Sequence, residues 1–72
     1  MSQKFRLKQR VKWNHAGNVA VGQIKQAFTA KVTRKIKGQA VTRNATEDEP
    51  AYLIEQEDGD RVLKSESELS KG

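Results

Sequence analysis

From residue 4 to residue 13 the chain runs Lys4-Phe5-Arg6-Leu7-Lys8-Gln9-Arg10-Val11-Lys12-Trp13, with cations and apolar side chains in alternation except at Gln9. A period of two is the signature of a half-buried strand, because successive side chains point to opposite faces. As a helix the same stretch would scatter its cations around the circumference and bury some of them. The expectation is a strand, at least over the Val11–Trp13 half, with Phe5, Leu7, Val11 and Trp13 inward. Lys4, Arg6, Lys8, Arg10 and Lys12 then form an outward comb.

At 72 residues the chain holds one domain with a small core, expected over residues 4–70 with flexible ends at 1–3 and 71–72. It has no cysteine, so disulfides and thiolate metal sites are excluded, and the lone His15 argues against a histidine metal site. No apolar run approaches the ~20 residues that span a bilayer. No hydrophobic segment follows the first charges, so neither a signal peptide nor a membrane partner is expected. Asn44-Ala45-Thr46 has the form of a glycosylation acceptor, which carries no meaning without secretion. The expected setting is the reducing cytoplasm.

Of the 14 Lys and Arg residues, all but Arg61, Lys64 and Lys71 lie at or before Arg43, whereas all 9 acids lie from Glu47 onward. A net charge of +5 divided in this way suggests a basic surface that seeks an anionic partner. The competing expectation is that acidic strands pair with basic ones and cancel the field internally.

Asn14-His15-Ala16-Gly17-Asn18 is a cluster of turn formers, with positive φ expected at Gly17 or Asn18 and His15 a solvated loop residue. From Val19 to Val32 the apolar register changes from odd to even after Gly22, as in a strand bent sharply between two sheets. Thr33-Arg34-Lys35-Ile36-Lys37-Gly38 reads as a loop, or as a wide hairpin returning through residues 39–43. Pro50 opens the strand Ala51-Tyr52-Leu53-Ile54-Glu55-Gln56. Asp58-Gly59 suits a type I′ turn leading into Arg61-Val62-Leu63-Lys64. Ser65 caps a helical turn that brings Leu69 onto the core, and residues 70–72 are expected to fray.

About five short bent strands and a C-terminal helical turn predict an all-β, small antiparallel barrel. Its expected core is Phe5, Leu7, Val11, Trp13, Val21, Ile24, Phe28, Val32, Tyr52, Ile54, Val62 and Leu69.

Val11-Lys12-Trp13-Asn14, Gly22-Gln23-Ile24, Ile36-Lys37-Gly38 and above all Asp48-Glu49-Pro50-Ala51-Tyr52-Leu53-Ile54-Glu55 resemble the hypervirulence-associated tudor-like domain family. The resemblance covers about residues 5–69 and implies an SH3-like, tudor-like barrel. The family usually carries Gly-Asp just before the Val-x-Trp strand, where this chain has Gln9-Arg10. That departure favours a longer first strand over a tight turn. The family's biochemical role is poorly defined, so the resemblance carries little function across.

The leading functional expectation is a non-enzymatic interaction module. Its basic face, Lys4, Arg6, Lys8, Arg10, Lys12, Lys31, Arg34, Lys35, Lys37 and Arg43, would bind an anionic partner. DNA or RNA comes first, held without sequence specificity through salt-dependent phosphate contacts. No ring interleaves these cations in the pattern of single-strand binders. The alternative is a protein–protein adaptor using a groove at Trp13 and Tyr52, or a strand edge through which the chain would be a monomer or weak homodimer. A methyl-lysine cage needs several free rings, and Phe5, Trp13, Phe28 and Tyr52 are all claimed by the core. Val21-Gly22-Gln23-Ile24 and Tyr52-Leu53-Ile54-Glu55 look similar to plasmid-borne type II dihydrofolate reductases, which hold a phosphorylated dinucleotide. Their pore-lining Val-Gln-Ile-Tyr run is missing, leaving nucleotide binding a remote alternative. No nucleophile, base or oriented pair can be named, so neither catalysis nor a cofactor is expected. The acidic runs at residues 47–49 and 58–60 lack the ligand number of a calcium loop, and no metal is expected.

Overall fold

The computed structural model describes residues 5–71. Seven strands occur among them: β1 (Arg10–His15), β2 (Asn18–Phe28), β3 (Val32–Ile36), β4 (Gln39–Arg43), β5 (Ala51–Glu55), β6 (Arg61–Ser65) and β7 (Ser70–Lys71). A single 3-10 turn, Glu66–Glu68, precedes β7. Five strands form an antiparallel sheet in the order β6-β5-β2-β1-β7, and β3 and β4 form a separate hairpin. The fold is therefore the all-β, tudor-like barrel class expected. The basic segment after Val32 is a true hairpin rather than a loop.

The first strand is shorter than its alternation suggests. Lys8 takes a positive φ of 71°, and a tight turn forms in which the Gln9 amide donates to the Arg6 carbonyl at 3.1 Å. The Gln9 side chain closes the turn, accepting the Arg6 amide at 2.9 Å. Gln9, the one residue out of pattern, marks the break. Phe5 folds back into the core, but Leu7 lies on the turn and is 59% exposed, which corrects the expectation that it faces inward. The longer strand inferred from the missing Gly-Asp is corrected by the same turn.

The bend in β2 also differs from its expected position. Its pairing with β5 slips between Ile24 and Gln26, so Lys25 is the extra residue of a bulge. Before the bulge Ala20, Gly22 and Ile24 face one core cluster; after it Ala27 packs on that cluster and Phe28 on a second. Val19 and Val21 consequently point outward, and Val21 leaves the expected core. Gly22 serves close approach instead of a face switch. A Cβ there would lie 2.6 Å from Ile54 Cγ2 and 2.8 Å from the Glu55 carbonyl oxygen.

Two clusters share β5 as their common wall. Phe5, Val11, Trp13, Ile24, Tyr52, Ile54 and Leu69 form the first, where the Phe5 and Tyr52 rings meet edge to face at 5.7 Å. Val32, Ala45, Ala51, Leu53 and Leu63 form the second, beneath the β3–β4 hairpin. Leu53 and Leu63, absent from the expected core, lie opposite each other across β5 and β6. Val62 is only partly buried, on the first cluster.

The β5–β6 connection is not a type I′ turn. Only Gly59 has positive φ, and the loop spans residues 56–60, with the Gln56 amide donating to the Asp60 carbonyl at 2.7 Å. The first hairpin takes its positive φ at Ala16 and Gly17 rather than Asn18. The Glu68 carboxylate accepts the Ser65 amide at 2.8 Å, closing the 3-10 turn and placing Leu69 in the core as expected. Ser70 and Lys71, expected to fray, pair with Lys12 and Val11.

Gly22→Ala should destabilise the domain by about 2–3 kcal/mol through overpacking against a strand backbone, read from urea unfolding. In the same assay Leu53→Ala should cost about 2–5 kcal/mol. Leu7→Ser should stay within about 0.5 kcal/mol, as a surface change does; a core-sized loss there would restore the long first strand.

Candidate functional site

The ten cations singled out from the sequence do not form one comb. Lys4 lies outside the described residues. Arg6 and Lys8 sit on the turn before β1, exposed. Arg10 and Lys12 alone occupy the outward face of β1. Lys31 is exposed between β2 and β3, Lys35 projects from the outer face of the hairpin, and Lys37 lies at its tip. Arg34 and Arg43 share the hairpin's inner face with Val32, Ile36 and Val41.

The acidic C-terminal part meets several of these cations directly. Arg10 Nη2 lies 3.1 Å from Glu57 Oε2, and Lys37 Nζ lies 2.8 Å from Asp60 Oδ2. The loop at residues 56–60 thus links β1 to the hairpin tip. Lys25, which the sequence reasoning passed over, lies 3.3 Å from Glu55. Arg43 stands 3.7 Å from Glu68 and donates through Nε to the Leu63 carbonyl at 3.2 Å, tying β4 to β6. Internal cancellation of charge across the sheet, one of the two expectations, is realised at these four positions. All four pairs are partly or largely exposed, so solvent screening leaves each a small contribution to stability.

Arg34 has a different partner. Its guanidinium carbon lies 4.8 Å from the centre of the half-buried Phe28 ring, and Nη1 donates to the Thr33 carbonyl at 2.9 Å. One ring is therefore interleaved with a cation, contrary to the sequence reading. The change of face at the bulge, which brings Phe28 under β3, was the signal to look for. Arg34 and Arg43 act within the fold, the first capping the second cluster and the second anchoring the hairpin.

What remains is Arg6, Lys8, Lys12, Lys31 and Lys35, all exposed and without an ion pair among the described residues. Lys12 stands on the face of β1 that, farther along the sheet at Leu53, is covered by the hairpin. Lys35 projects from the outer side of that hairpin. The two lysines therefore occupy successive steps on one side of the molecule.

Trp13 reaches the floor of a cleft of about 310 Å³ beside Lys12, Asn14, Val19, Glu68 and Ser70, and Tyr52 does not join it there. Trp13 and Tyr52 are 4% and 0% exposed, and the Tyr52 hydroxyl donates to Glu66 Oε2 at 2.9 Å. Trp13 Nε1 is buried without a hydrogen-bond partner, and it is the only buried side-chain polar atom so placed among the described residues. With three rings in one core cluster, no aromatic cage opens to the surface. Among the described residues no group of three His, Cys, Asp or Glu side chains is arranged to hold a metal ion. No helix there is long and apolar enough to cross a membrane.

Asp60 holds the Lys37 ammonium above its ordinary pKa, first through their hydrogen bond and then through charge, with Asp58 adding a smaller pull. A raised lysine pKa stabilises the fold below the unfolded value, and this contribution is lost only as pH rises through the folded value. The Lys37 Cε carbon shift in NMR should therefore titrate above the ordinary lysine range, and Asp60→Asn should return it to that range. An unshifted titration in the parent chain would show that the tip is not docked.

No curated protein and no solved structure matches the chain. Residues 9–69 match the family described as the TUDOR domain of hypervirulence associated proteins. Small tudor-like β domains of this kind are typically binding modules rather than enzymes. The match runs from just before β1 through Leu69 and agrees with the architecture, so the chain belongs to the hypervirulence-associated tudor-like family as a small interaction module.

Proposed function

We propose that this module is non-enzymatic and binds nucleic acid through phosphate contacts made by Lys12, Lys31 and Lys35, with Arg6 and Lys8 at the margin. The observation that carries this reading is selective neutralisation. Carboxylates occupy Arg10, Lys25, Lys37 and Arg43, while these five exposed cations have no ion-pair partner among the described residues. Flexible lysines on strand surfaces act as point charges toward phosphate and read no base sequence. Binding would thus be non-specific, and a cytoplasmic module of this kind needs no cofactor.

The test is fluorescence anisotropy with labelled single- and double-stranded DNA and RNA at low and physiological salt. For about four duplex phosphate contacts, affinity should fall roughly a hundredfold between about 50 and 200 mM salt. Joint Lys12→Glu, Lys31→Glu and Lys35→Glu substitution should abolish binding while the thermal unfolding transition is retained, whereas Arg61→Gln should bind as the parent does. Retained affinity in the triple variant, or a flat salt response, would overturn the proposal.

A further inference from the structure

The first half of β2 has one free edge. The Ile24 amide donates to the Gln9 carbonyl at 2.9 Å, which fixes the even residues of β2 as those that bond toward β1. The backbone groups of Val19 and Val21 therefore point to the other side, where β5 begins only at Glu55 opposite Gln23. Among the described residues no strand covers residues 18–21 on that side. Native edge strands are usually shielded by charge, proline or a bulge, yet residues 18–22 read Asn-Val-Ala-Val-Gly. Val19 and Val21 are also 64% and 38% exposed on one face.

Beside this edge lies a cleft of about 330 Å³ lined by Ala20, Val21, Gln56, Glu57 and Asp58. Glu57 is engaged by Arg10. Asp58 accepts the Asp60 amide through Oδ1 but has no ion pair among the described residues. The edge and the cleft beside it therefore combine unsatisfied strand hydrogen bonds, the Val21 side chain with Val19 farther along the edge, and the Asp58 carboxylate, which has no ion pair among the described residues. A second copy of this chain is disfavoured, because its net charge of +5 repels a like partner.

We propose that residues 18–21 of β2 take up an extended peptide segment of another protein by strand addition. Apolar side chains of the segment lie against Val19 and Val21, and a Lys or Arg of it meets Asp58. This edge adjoins Lys12, the cross-strand partner of Val21, but uses backbone groups of β2 and does not depend on nucleic-acid binding.

The test titrates the labelled full chain with a short acetylated, amidated peptide alternating valine and threonine and ending in lysine, beside a counterpart ending in glutamate. The Val19 and Val21 amides should shift and gain exchange protection, and the lysine peptide should bind more tightly. Val21→Pro removes an outward amide at an edge position where proline is tolerated, and should weaken binding by at least about fivefold. Val21→Thr should retain it, and Asp58→Asn should erase the preference for lysine. Val19→Pro serves as the second variant if Val21→Pro fails to fold. Unmoved amides at residues 19 and 21, equal binding by both proline variants, or tighter binding of the glutamate peptide would overturn the proposal. Concentration-dependent shifts at these residues without any response to peptide would overturn it in favour of a second copy.

Discussion

Strand β5 is buried on both faces, and the rest of the domain is arranged to make that possible. Tyr52 and Ile54 face one cluster, Ala51 and Leu53 the other, and β2 and β6 satisfy its backbone on either side. A chain this short cannot build two independent cores, so sharing one strand between two clusters lets a small set of apolar residues close both. The bulge at Lys25 follows from this arrangement. Without it, β2 could not direct Ile24 into the first cluster and Phe28 into the second. Gly22 follows too, since the curl of β2 over Ile54 and Glu55 leaves no room for a side chain.

The charges are arranged around the same strand. The β5–β6 loop carries Glu57 toward Arg10 and Asp60 toward Lys37, and Glu55 at the end of β5 meets Lys25. A sequence divided into a basic stretch and an acidic one thus folds into a sheet in which part of that division is neutralised across strands. These exposed pairs add little stability individually. Their larger consequence is subtraction: they remove Arg10 and Lys37 from a surface the sequence would have counted as one, and leave lysines on two steps.

Much of the architecture is legible from particular residues. Pro50 and the apolar run after it mark β5, Gly59 marks the loop that follows, and Ser65 with Glu68 marks the 3-10 turn. The failures have common physical causes. Leu7 and the first cations were placed by a period of two that a single turn at Lys8 interrupts, and Gln9 is the only trace of that turn in the alternation. Leu53 was missed because a strand buried on both faces shows no alternation, and Leu63 because the adjacent Val62 and Leu63 leave the inward register of β6 undetermined by pattern. The candidate surface was less legible than the fold. Which cations remain free depends on cross-strand register and on where the loop at 56–60 lies, and composition carries neither.

Native-state hydrogen exchange across a urea series tests the shared role of β5 most directly. The account predicts that the Tyr52, Leu53 and Ile54 amides are among the slowest in the chain and exchange only through global unfolding. The inner amides of the β3–β4 hairpin should merge with them as urea rises. If β5 amides instead exchange by local opening, while β1 and β2 stay protected to higher free energy, the two clusters are not held by a common strand and the account fails.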